Sequence, residues 1–331
     1  MKNTIFWIMA GLISGLGTFF SLETLLRVTG HEPYRTIYHE RPWSERHPIM
    51  GWVNKPGIYN SNQPGNAPMT FLKGGRRATR PAKGRDGKYP KKVFLVGGSY
   101  AQGYGMKDEE SLGWLLNKRL PHVDLQNYGT GGYSTYQSIL QAQYRLVLQE
   151  NPPDVVIYGF AYFHHERNVL TFGWMQSLRS NHGERFAAPH VVVEDGKLAE
   201  RGPFSVRNWP LEGMSAFVRF IHDKYLQFLF YGREKQMVPV TRELLKAMND
   251  FASSRGIKFL VAILEDLGME ELFTDFMDKK GIGYVNCTFP DSWNPRNRLG
   301  GTGHPKPEVH AFWAKCIGDS IEPMLREGVA Y

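Results

Sequence analysis

The sequence predicts an α/β domain built on a mostly parallel sheet and preceded by an apolar helix. Short apolar runs typical of buried strands alternate with stretches of helical period from Val93 to Leu325. Strands and helices that alternate in this way form a parallel sheet covered by helices on both faces. With 42% hydrophobic and 22% charged residues among 331, the chain has an ordinary globular composition. That composition excludes a disordered chain, a collagen-like fibre and a polytopic membrane protein.

The first predicted element is an apolar helix within residues 1–27. No charged side chain occurs between Lys2 and Glu23, and about 18 uncharged, mostly apolar residues suffice to cross a bilayer. A cleaved signal peptide would need a small-residue exit site, and the stretch has no A-x-A motif. We therefore expect an uncleaved, single-pass anchor in the inner (cytoplasmic) membrane. Lys2 favours a periplasmic body under the positive-inside rule, whereas Arg27, after the helix, opposes that orientation.

Residues 28–90 are predicted to form an arm rather than a domain, because they combine eight prolines with several glycines and show no sustained period. A basic run lies at the end of this arm and just beyond it. It comprises Lys73, Arg76, Arg77, Arg80, Lys83, Arg85, Lys88, Lys91 and Lys92, with Asp86 as its only acid. We interpret the run as a solvated connector; contact with an anionic surface or an acidic glycan is the alternative. No nucleic-acid-binding motif accompanies it, so we expect no nucleic-acid partner.

The domain itself is predicted over residues 91–331. The predicted strands are 93–96, 123–128, 154–159, 258–264 and 283–287, and the predicted helices are 111–120, 136–149, 241–254 and 307–325. The span between the third and fourth strands is far longer than a crossover needs. We interpret residues 169–235 as an insertion with a hairpin that turns at Asp195-Gly196 and an apolar helix over 214–231. The insertion is either a lid or substrate wall, or additional core packing.

Two residues that could perform chemistry follow predicted strands. Ser99 comes directly after an apolar run and two glycines, which places its hydroxyl at the carboxyl end of the sheet and near the start of a helix. No Lys-Ser or Lys-Thr pair follows, so a Walker loop is excluded. His304 lies in the glycine-rich segment GTGHP (301–305), after the last strand. Both positions belong to the same edge of the sheet, so Ser99 and His304 can converge as nucleophile and base.

These motifs resemble those of the SGNH, or GDSL-like, hydrolases, and more narrowly the membrane-anchored members associated with bacterial surface polysaccharides. The segment GGSYAQG (97–103) resembles the nucleophile block, although Gly98 replaces the usual aspartate. NYGTGGYST (127–135) resembles the second block, PDVVI (153–157) the approach to the third, and His304-Pro305 the last. The resemblance implies a flavodoxin-like three-layer α/β/α sandwich with a mostly parallel five-stranded sheet. It also implies that Ser99 is the nucleophile and His304 the base.

The resemblance further implies an oxyanion hole formed by the N–H groups of Ser99 and Gly132, or of Gly131 if the register shifts by one. The third block usually adds an asparagine side chain. Here the corresponding segment is YFHHERN (162–168), and the alignment places His164, or His165 if shifted, in that position. An imidazole N–H can donate to an oxyanion. The alternative is that these histidines belong to a structural polar cluster.

The family's catalytic aspartate is missing from this sequence. Its usual positions, two or three residues before the histidine, are occupied by Thr302 and Gly301. Either a Ser–His dyad is oriented by a backbone carbonyl, or a distant carboxylate takes over. The candidates for that carboxylate are Asp291, Asp266 and Glu265. Loss of the acid weakens control of the histidine tautomer, so an inactive binding protein is a further alternative.

Cys287 and Cys316 are expected to be buried thiols, although a periplasmic location would permit a disulfide. No spacing indicates a metal site, and we expect no cofactor. The predicted function is an ester hydrolase or an O-acyltransferase that acts through an acyl-enzyme on acetyl esters of an envelope polysaccharide or exopolysaccharide. A lipid acyl hydrolase and a non-catalytic glycan-binding or scaffold protein of an export assembly are the alternatives. Expected partners are an acyl-ester or carbohydrate substrate, the membrane, and polysaccharide export or acetylation proteins.

Overall fold

The computed structural model describes residues 2–36, 41–61, 67–84, 87–148, 151–182, 186–266, 268, 270–300 and 303–326. The chain divides into two compact units. The first, here called the sheet unit, comprises Arg41–Leu170, Ala187–Phe204 and Arg233–Tyr331. The second, the anchor unit, comprises Met1–Glu40, Thr171–Phe186 and Ser205–Gly232.

The elements are numbered in chain order. The strands are β1 (Ser44–His47), β2 (Gly51–Asn54), β3 (Gly57–Asn60), β4 (Pro68–Leu72), β5 (Arg76–Arg77), β6 (Lys91–Gly97), β7 (Val123–Asn127), β8 (Val155–Ala161), β9 (Ala188–Glu194), β10 (Lys197–Phe204), β11 (Lys258–Glu265) and β12 (Tyr284–Asn286). The helices are α1 (Lys2–Val28), α2 (Ser99–Gln102), α3 (Leu112–Arg119), α4 (Thr135–Val147), α5 (His164–Asn168), α6 (Phe172–His182), α7 (Ala216–Leu229), α8 (Met237–Ser253), α9 (Glu270–Lys280) and α10 (Pro307–Arg326).

A mixed sheet forms the centre of the sheet unit. Among the described residues it has eight strands in the order β12-β11-β8-β6-β7-β5-β4-β3. The strands from β12 to β7 are parallel and correspond to the five predicted from the sequence. The predicted α/β class with a mostly parallel sheet is therefore confirmed. Because all five run the same way, their carboxyl ends share one edge.

Helices cover both faces of this sheet and make it the middle of three layers. Side chains of β6 alternate between the two faces: Phe94 and Val96 pack in a core that includes residues of α4 and α8, and Val93 and Leu95 in a core that includes residues of α3 and α10. Burial of one such side chain contributes about 1.5–3 kcal/mol to stability. The continuous apolar runs in the sequence reflect this burial on both sides.

Part of the segment interpreted as an arm from its prolines and glycines adds strands to the main sheet. Strands β3, β4 and β5 extend the main sheet by antiparallel pairing, and β1 and β2 form a separate hairpin. Part of the basic run is structural, because the buried guanidinium of Arg77 lies 3.0 Å from the carboxylate of Asp108. Arg85 and Asp86 lie outside the described residues.

The insertion divides between the two units instead of forming a single body. The hairpin of β9 and β10 belongs to the sheet unit, and its turn at Asp195-Gly196 is confirmed by positive φ angles of 50° and 74°. Helices α6 and α7 belong to the anchor unit. The expectation for the cysteines was wrong, because Cys287 and Cys316 form a disulfide that joins the end of β12 to α10.

Among the residues that the structure describes, one helix, Asn3–Val28 of the anchor unit, is long and apolar enough to cross a membrane, and its position near the N-terminus also fits a signal sequence. The last turns of this helix contact the start of α7. The carboxylate of Glu23 accepts hydrogen bonds from the Ser215 hydroxyl and from the backbone N–H groups of Ala216 and Phe217, at 2.7, 3.0 and 2.8 Å. Glu23 therefore caps α7, because the first N–H groups of a helix lack intrahelical partners.

Candidate active site

Ser99 lies where the buried strand β6 ends and the short helix α2 begins. Gly98 is the residue between them, and Ser99 is 8% exposed. The position at the carboxyl end of a central parallel strand is the one predicted from the sequence. Because Ser99 opens the helix, its own backbone N–H is one of the groups that no intrahelical acceptor satisfies, and it is available to an oxyanion.

The glycine before Ser99 is required by a close approach of another side chain. A Cβ at Gly98 would lie 2.6 Å from Nε2 of His164, although the backbone φ of −82° is accessible to any residue. An aspartate, the usual residue of the resembled family at this position, would overlap the imidazole ring. The departures from the family pattern at positions 98 and 164 are therefore coupled, since one makes room for the other.

His304 contacts the proposed nucleophile directly. Its Nε2 lies 3.0 Å from Oγ of Ser99, a hydrogen-bond distance across 205 positions of sequence. The ring of Tyr104 packs against the imidazole edge-on, with centroids 4.9 Å apart. The His304 carbonyl accepts a hydrogen bond of 2.7 Å from the N–H of Leu299, which fixes the loop that holds the base. The structure thus brings together the two residues predicted to form the dyad.

A buried ion pair supports the same loop. Arg298 is bound to the carboxylate of Glu265, and its Nη1 donates to the Gly303 carbonyl at 2.9 Å and to the Tyr100 hydroxyl at 2.8 Å. The Tyr100 hydroxyl in turn donates to Glu265 at 2.7 Å. Burial raises the pKa of Tyr100 well above its ordinary value, and the negative charge of Glu265 acts in the same direction. Breaking such a pair typically costs about 3–5 kcal/mol.

Glu265 therefore acts on the residue before the base rather than as its orienting acid. Of the other two candidates, Asp291 is exposed and Asp266 is half-buried after the end of β11. The positions where the family's aspartate would stand, Gly301 and Thr302, lie outside the described residues.

His164 is a buried histidine whose Nε2 lies next to Gly98, the residue before Ser99. The ring is 1% exposed, and burial holds its pKa well below the ordinary value, so that it is neutral at pH 7. Its Nδ1 accepts a hydrogen bond of 3.4 Å from the N–H of Ala161 and lies 2.7 Å from the Tyr158 hydroxyl. The other ring nitrogen, Nε2, is the atom next to Gly98. His165 is also buried, but its described contact is with Tyr162.

Gly132 lies in a tight loop at the end of β7 and has a φ of 85°, which favours glycine. Two residues of the arm hold this loop. Nε1 of Trp52 donates to the Gly131 carbonyl at 2.9 Å, and Nδ2 of Asn54 donates to the Gly129 carbonyl at 2.9 Å. Sequence reasoning missed Trp52 and Asn54, since nothing in the local pattern of a four-residue strand indicates contacts more than 70 positions away.

Comparison with known proteins gives structural neighbours only. No protein-family model and no curated protein sequence matches the chain. A member of the lipolytic protein G-D-S-L family from Veillonella parvula is 12% identical, with a TM-score of 0.39 over 71% of this chain and 98% of that one. A GDSL-like lipase from Bacteroides thetaiotaomicron is 13% identical, with a TM-score of 0.35 over 75% and 92%.

An acetyl-xylooligosaccharide esterase from Geobacillus, in a mutant form, is 10% identical, with a TM-score of 0.40 over 71% of this chain and 95% of that one. The neighbours from Veillonella and Bacteroides are described as G-D-S-L or GDSL-like, which is the family that the motifs resemble. Similarity at this level of sequence identity is a similarity of fold alone. The chemistry of this protein therefore has to be inferred from its own residues.

Proposed function

We propose that the chain is a membrane-anchored serine ester hydrolase or O-acyltransferase of the SGNH type. The observation that supports this most directly is the 3.0 Å contact between Oγ of Ser99 and Nε2 of His304 at the carboxyl edge of the parallel sheet. A hydroxyl within hydrogen-bond reach of an imidazole is the arrangement that activates a serine nucleophile. The buried ion pair behind the histidine loop, and the arm residues beneath the Gly132 loop, hold both parts in place.

In the proposed reaction, Oγ of Ser99 attacks the ester carbonyl and its proton passes to Nε2 of His304. The N–H groups of Ser99, Gly132 and His164 Nε2 stabilise the tetrahedral oxyanion. The intermediate then breaks its bond to the alcohol, which takes the proton from His304 and leaves an acyl-enzyme. Water or a sugar hydroxyl, deprotonated by His304, attacks this ester, and Ser99 leaves with the returned proton. The first acceptor gives hydrolysis, and the second gives acyl transfer.

We further propose that the substrate is an acetyl ester of an envelope polysaccharide or exopolysaccharide, outside the inner membrane. The apolar helix near the N-terminus supports an anchor, and the disulfide between Cys287 and Cys316 supports an oxidising compartment. Export or acetylation proteins of such a polysaccharide are the proposed partners. The net charge of +8 favours an anionic polymer over a neutral one.

The first test compares hydrolysis of 4-nitrophenyl acetate by the full chain in detergent with that of Ser99→Ala and His304→Ala. We expect each variant to lose at least about a thousandfold in kcat. Ser253→Ala and His122→Ala, which change exposed residues of the same types, are the matched controls and should retain activity. Wild-type turnover no greater than that of Ser99→Ala would contradict the proposal and favour the glycan-binding alternative.

A second experiment separates the kinds of ester chemistry. A series of 4-nitrophenyl esters from acetyl to decanoyl should give the highest kcat/KM for acetyl; a maximum at long chains would instead indicate a lipid acyl hydrolase. Mass spectrometry of reactions that contain an oligosaccharide acceptor detects acetyl transfer to sugar. An acetylated product formed by the wild type and not by Ser99→Ala would assign transferase activity, and its absence would assign hydrolysis alone.

A further inference from the structure

Two guanidinium groups lie near the Gly132 loop in the sheet unit. Nη1 of Arg167 donates to the Tyr133 carbonyl at 3.2 Å. Nη1 of Arg41 lies 3.9 Å from the position that a Cβ would occupy at Gly131. Two positive charges therefore lie close to the residue proposed to donate to the oxyanion, and the charge of Arg41 lowers the pKa of Arg167.

The two arginines differ in the groups that contact their guanidinium. Arg167 is bound to the loop carbonyl, and its guanidinium lies 4.3 Å from the centre of the Phe163 ring. The carboxylate of Glu166, the preceding residue, favours the charged form of Arg167. Arg41 is half-buried, and within the described residues its guanidinium has no hydrogen-bond acceptor and no carboxylate partner. Burial lowers the pKa of Arg41, and the Tyr104 hydroxyl is the group that opposes this shift.

The location of Arg41 connects it with the reacting groups. Tyr104, which interacts with Arg41, packs its ring against the imidazole of His304. Gly131 adjoins the proposed oxyanion donor Gly132. Arg41 thus lies beside the loop proposed to form the oxyanion hole, near the groups that would contact the part of a substrate next to its ester.

We infer that Arg41 binds an anionic group of the substrate, a carboxylate or a phosphate, that lies next to the ester to be cleaved. The inference rests on the proposed function and specifies its substrate class: acyl esters of acidic sugars rather than neutral ones. A guanidinium binds both anions through paired N–H groups. A partly desolvated positive charge without a protein partner gains most from such a ligand.

The test measures kcat/KM of the full chain for three acetyl esters: of methyl glucuronide, of methyl glucoside and of glucose 6-phosphate. The wild type should prefer an anionic ester to the neutral one by about tenfold or more, the effect of one charge-assisted hydrogen bond. Arg41→Met should reduce this ratio by about tenfold. Arg46→Met removes the same charge from an exposed position on the arm and should leave the ratio unchanged. The two anionic esters distinguish a carboxylate from a phosphate.

Equal ratios in Arg41→Met and Arg46→Met would overturn the inference while leaving ester hydrolysis intact. Binding of unacetylated methyl glucuronide and of glucose 6-phosphate, measured by calorimetry, decides the matter independently of turnover. We expect Arg41→Met alone to weaken binding of one of the two by about tenfold. If no ester is hydrolysed by any variant, the proposed function fails, and the calorimetric result still supports or refutes the anion site.

A separate observation concerns helix α7 of the anchor unit. One face is buried and includes His222 and Leu226, whereas the opposite face exposes Ile221, Tyr225 and Phe228, which are 40%, 47% and 78% exposed. These three residues follow the i, i+4, i+7 spacing of one helical face. An exposed apolar stripe of this kind is unusual on a helix that faces water.

The N-terminal end of this exposed face of α7 contacts the apolar helix α1. The rings of Phe19 and Phe217 pack edge-on with centroids 5.6 Å apart, and Phe217 precedes Ile221 by one turn on the exposed face. The Glu23 cap fixes the start of α7 near the end of α1, and Nη2 of Arg27 donates to the Met214 carbonyl at 2.8 Å. The start of α7 is therefore placed where α1 would leave the hydrocarbon.

We propose that the exposed face of α7 lies in the interfacial region of the membrane that α1 crosses. An amphipathic helix binds there with its apolar face among the acyl chains. The proposal rests on the proposed anchor. Its test uses single cysteines labelled with bimane at Leu12, Phe228 and Lys246 of the full chain in vesicles containing brominated lipid. We expect quenching at Phe228 and Leu12, and none at Lys246 of α8, whose side chain is 40% exposed.

Quenching at Leu12 without quenching at Phe228 would refute the interfacial position and leave the anchor in place. Absence of quenching at both positions would refute the anchor and the proposal together. The native cysteines form the disulfide and do not compete for the label.

Discussion

Replacement of Gly98 by alanine tests the coupling between the nucleophile turn and His164. The new Cβ would lie 2.6 Å from Nε2 of a ring that is 1% exposed, about 1 Å inside the ordinary contact distance. Because Tyr158 and Ala161 contact the other nitrogen of the ring, the imidazole has little freedom to move away. Overpacking of this kind costs about 1–3 kcal/mol, and the midpoint of thermal unfolding should fall by about 2–6 °C.

The same substitution should lower activity, because a displaced imidazole no longer reaches the oxyanion. Loss of one oxyanion donor typically reduces kcat by about a hundredfold or more. Both effects are measured with the full chain, by calorimetry and by turnover of 4-nitrophenyl acetate. Gly173→Ala is the matched control: its Cβ meets nothing within 4 Å, so stability and activity should be retained.

A double-mutant cycle identifies the contact itself. His164→Gly removes the ring and, by the same reasoning, should reduce kcat by about a hundredfold. In that background, Gly98→Ala should no longer lower the unfolding midpoint, because nothing remains for its Cβ to overlap. If alanine at position 98 is as stable and active as the wild type, or if its cost persists without the ring, the coupling between these two positions is refuted.

Two further predictions concern stability. Burial lowers the pKa of His164, His190 and His310 below the ordinary value of 6.5, to about 4 for His190 and about 3 for His310. As the pH falls below 6.5, these histidines take up protons in the unfolded chain but not in the folded one. The free energy of unfolding, measured between pH 8 and 4, should therefore be constant above pH 7 and should decrease below pH 6.5 by up to about 1.4 kcal/mol per pH unit for each group. A free energy of unfolding that does not change over this range would contradict the prediction. The Cys287–Cys316 disulfide links residues 29 apart, and its loss should cost about 3.6 kcal/mol. Dithiothreitol should lower the unfolding midpoint of the wild type but not that of a double serine variant; equal responses would argue against the disulfide.

The central strands and the two dyad residues could be predicted from the sequence because each has a local sequence pattern. β6, β8 and β11 are continuous apolar runs, and each is buried from both faces of the sheet. Ser99 and His304 lie in short glycine-containing segments that follow such strands. The parallel order of the sheet then brings the two segments together, across 205 positions of sequence.

The residues that support the site could not be predicted from the sequence, because their roles depend on partners that are distant in the chain. β5 has only two residues and pairs with β7 through Arg77 and Asn127, a register that no local pattern specifies. Arg298 is an ordinary loop arginine in the sequence, and its pairing with Glu265 follows from the tertiary fold. The disulfide likewise depends on the approach of α10 to the end of β12, which sequence spacing alone does not determine.

The attachment of the arm to the sheet has a consequence for how this protein can be divided or recombined. A cut at the predicted boundary near residue 90 would remove β3, β4 and β5 and leave β7 as an open edge that invites aggregation. The cut would also remove Trp52 and Asn54 from the loop that contains Gly132. Residues 41–90 and the parallel sheet therefore form one structural unit, and chimeras between related chains should exchange them together.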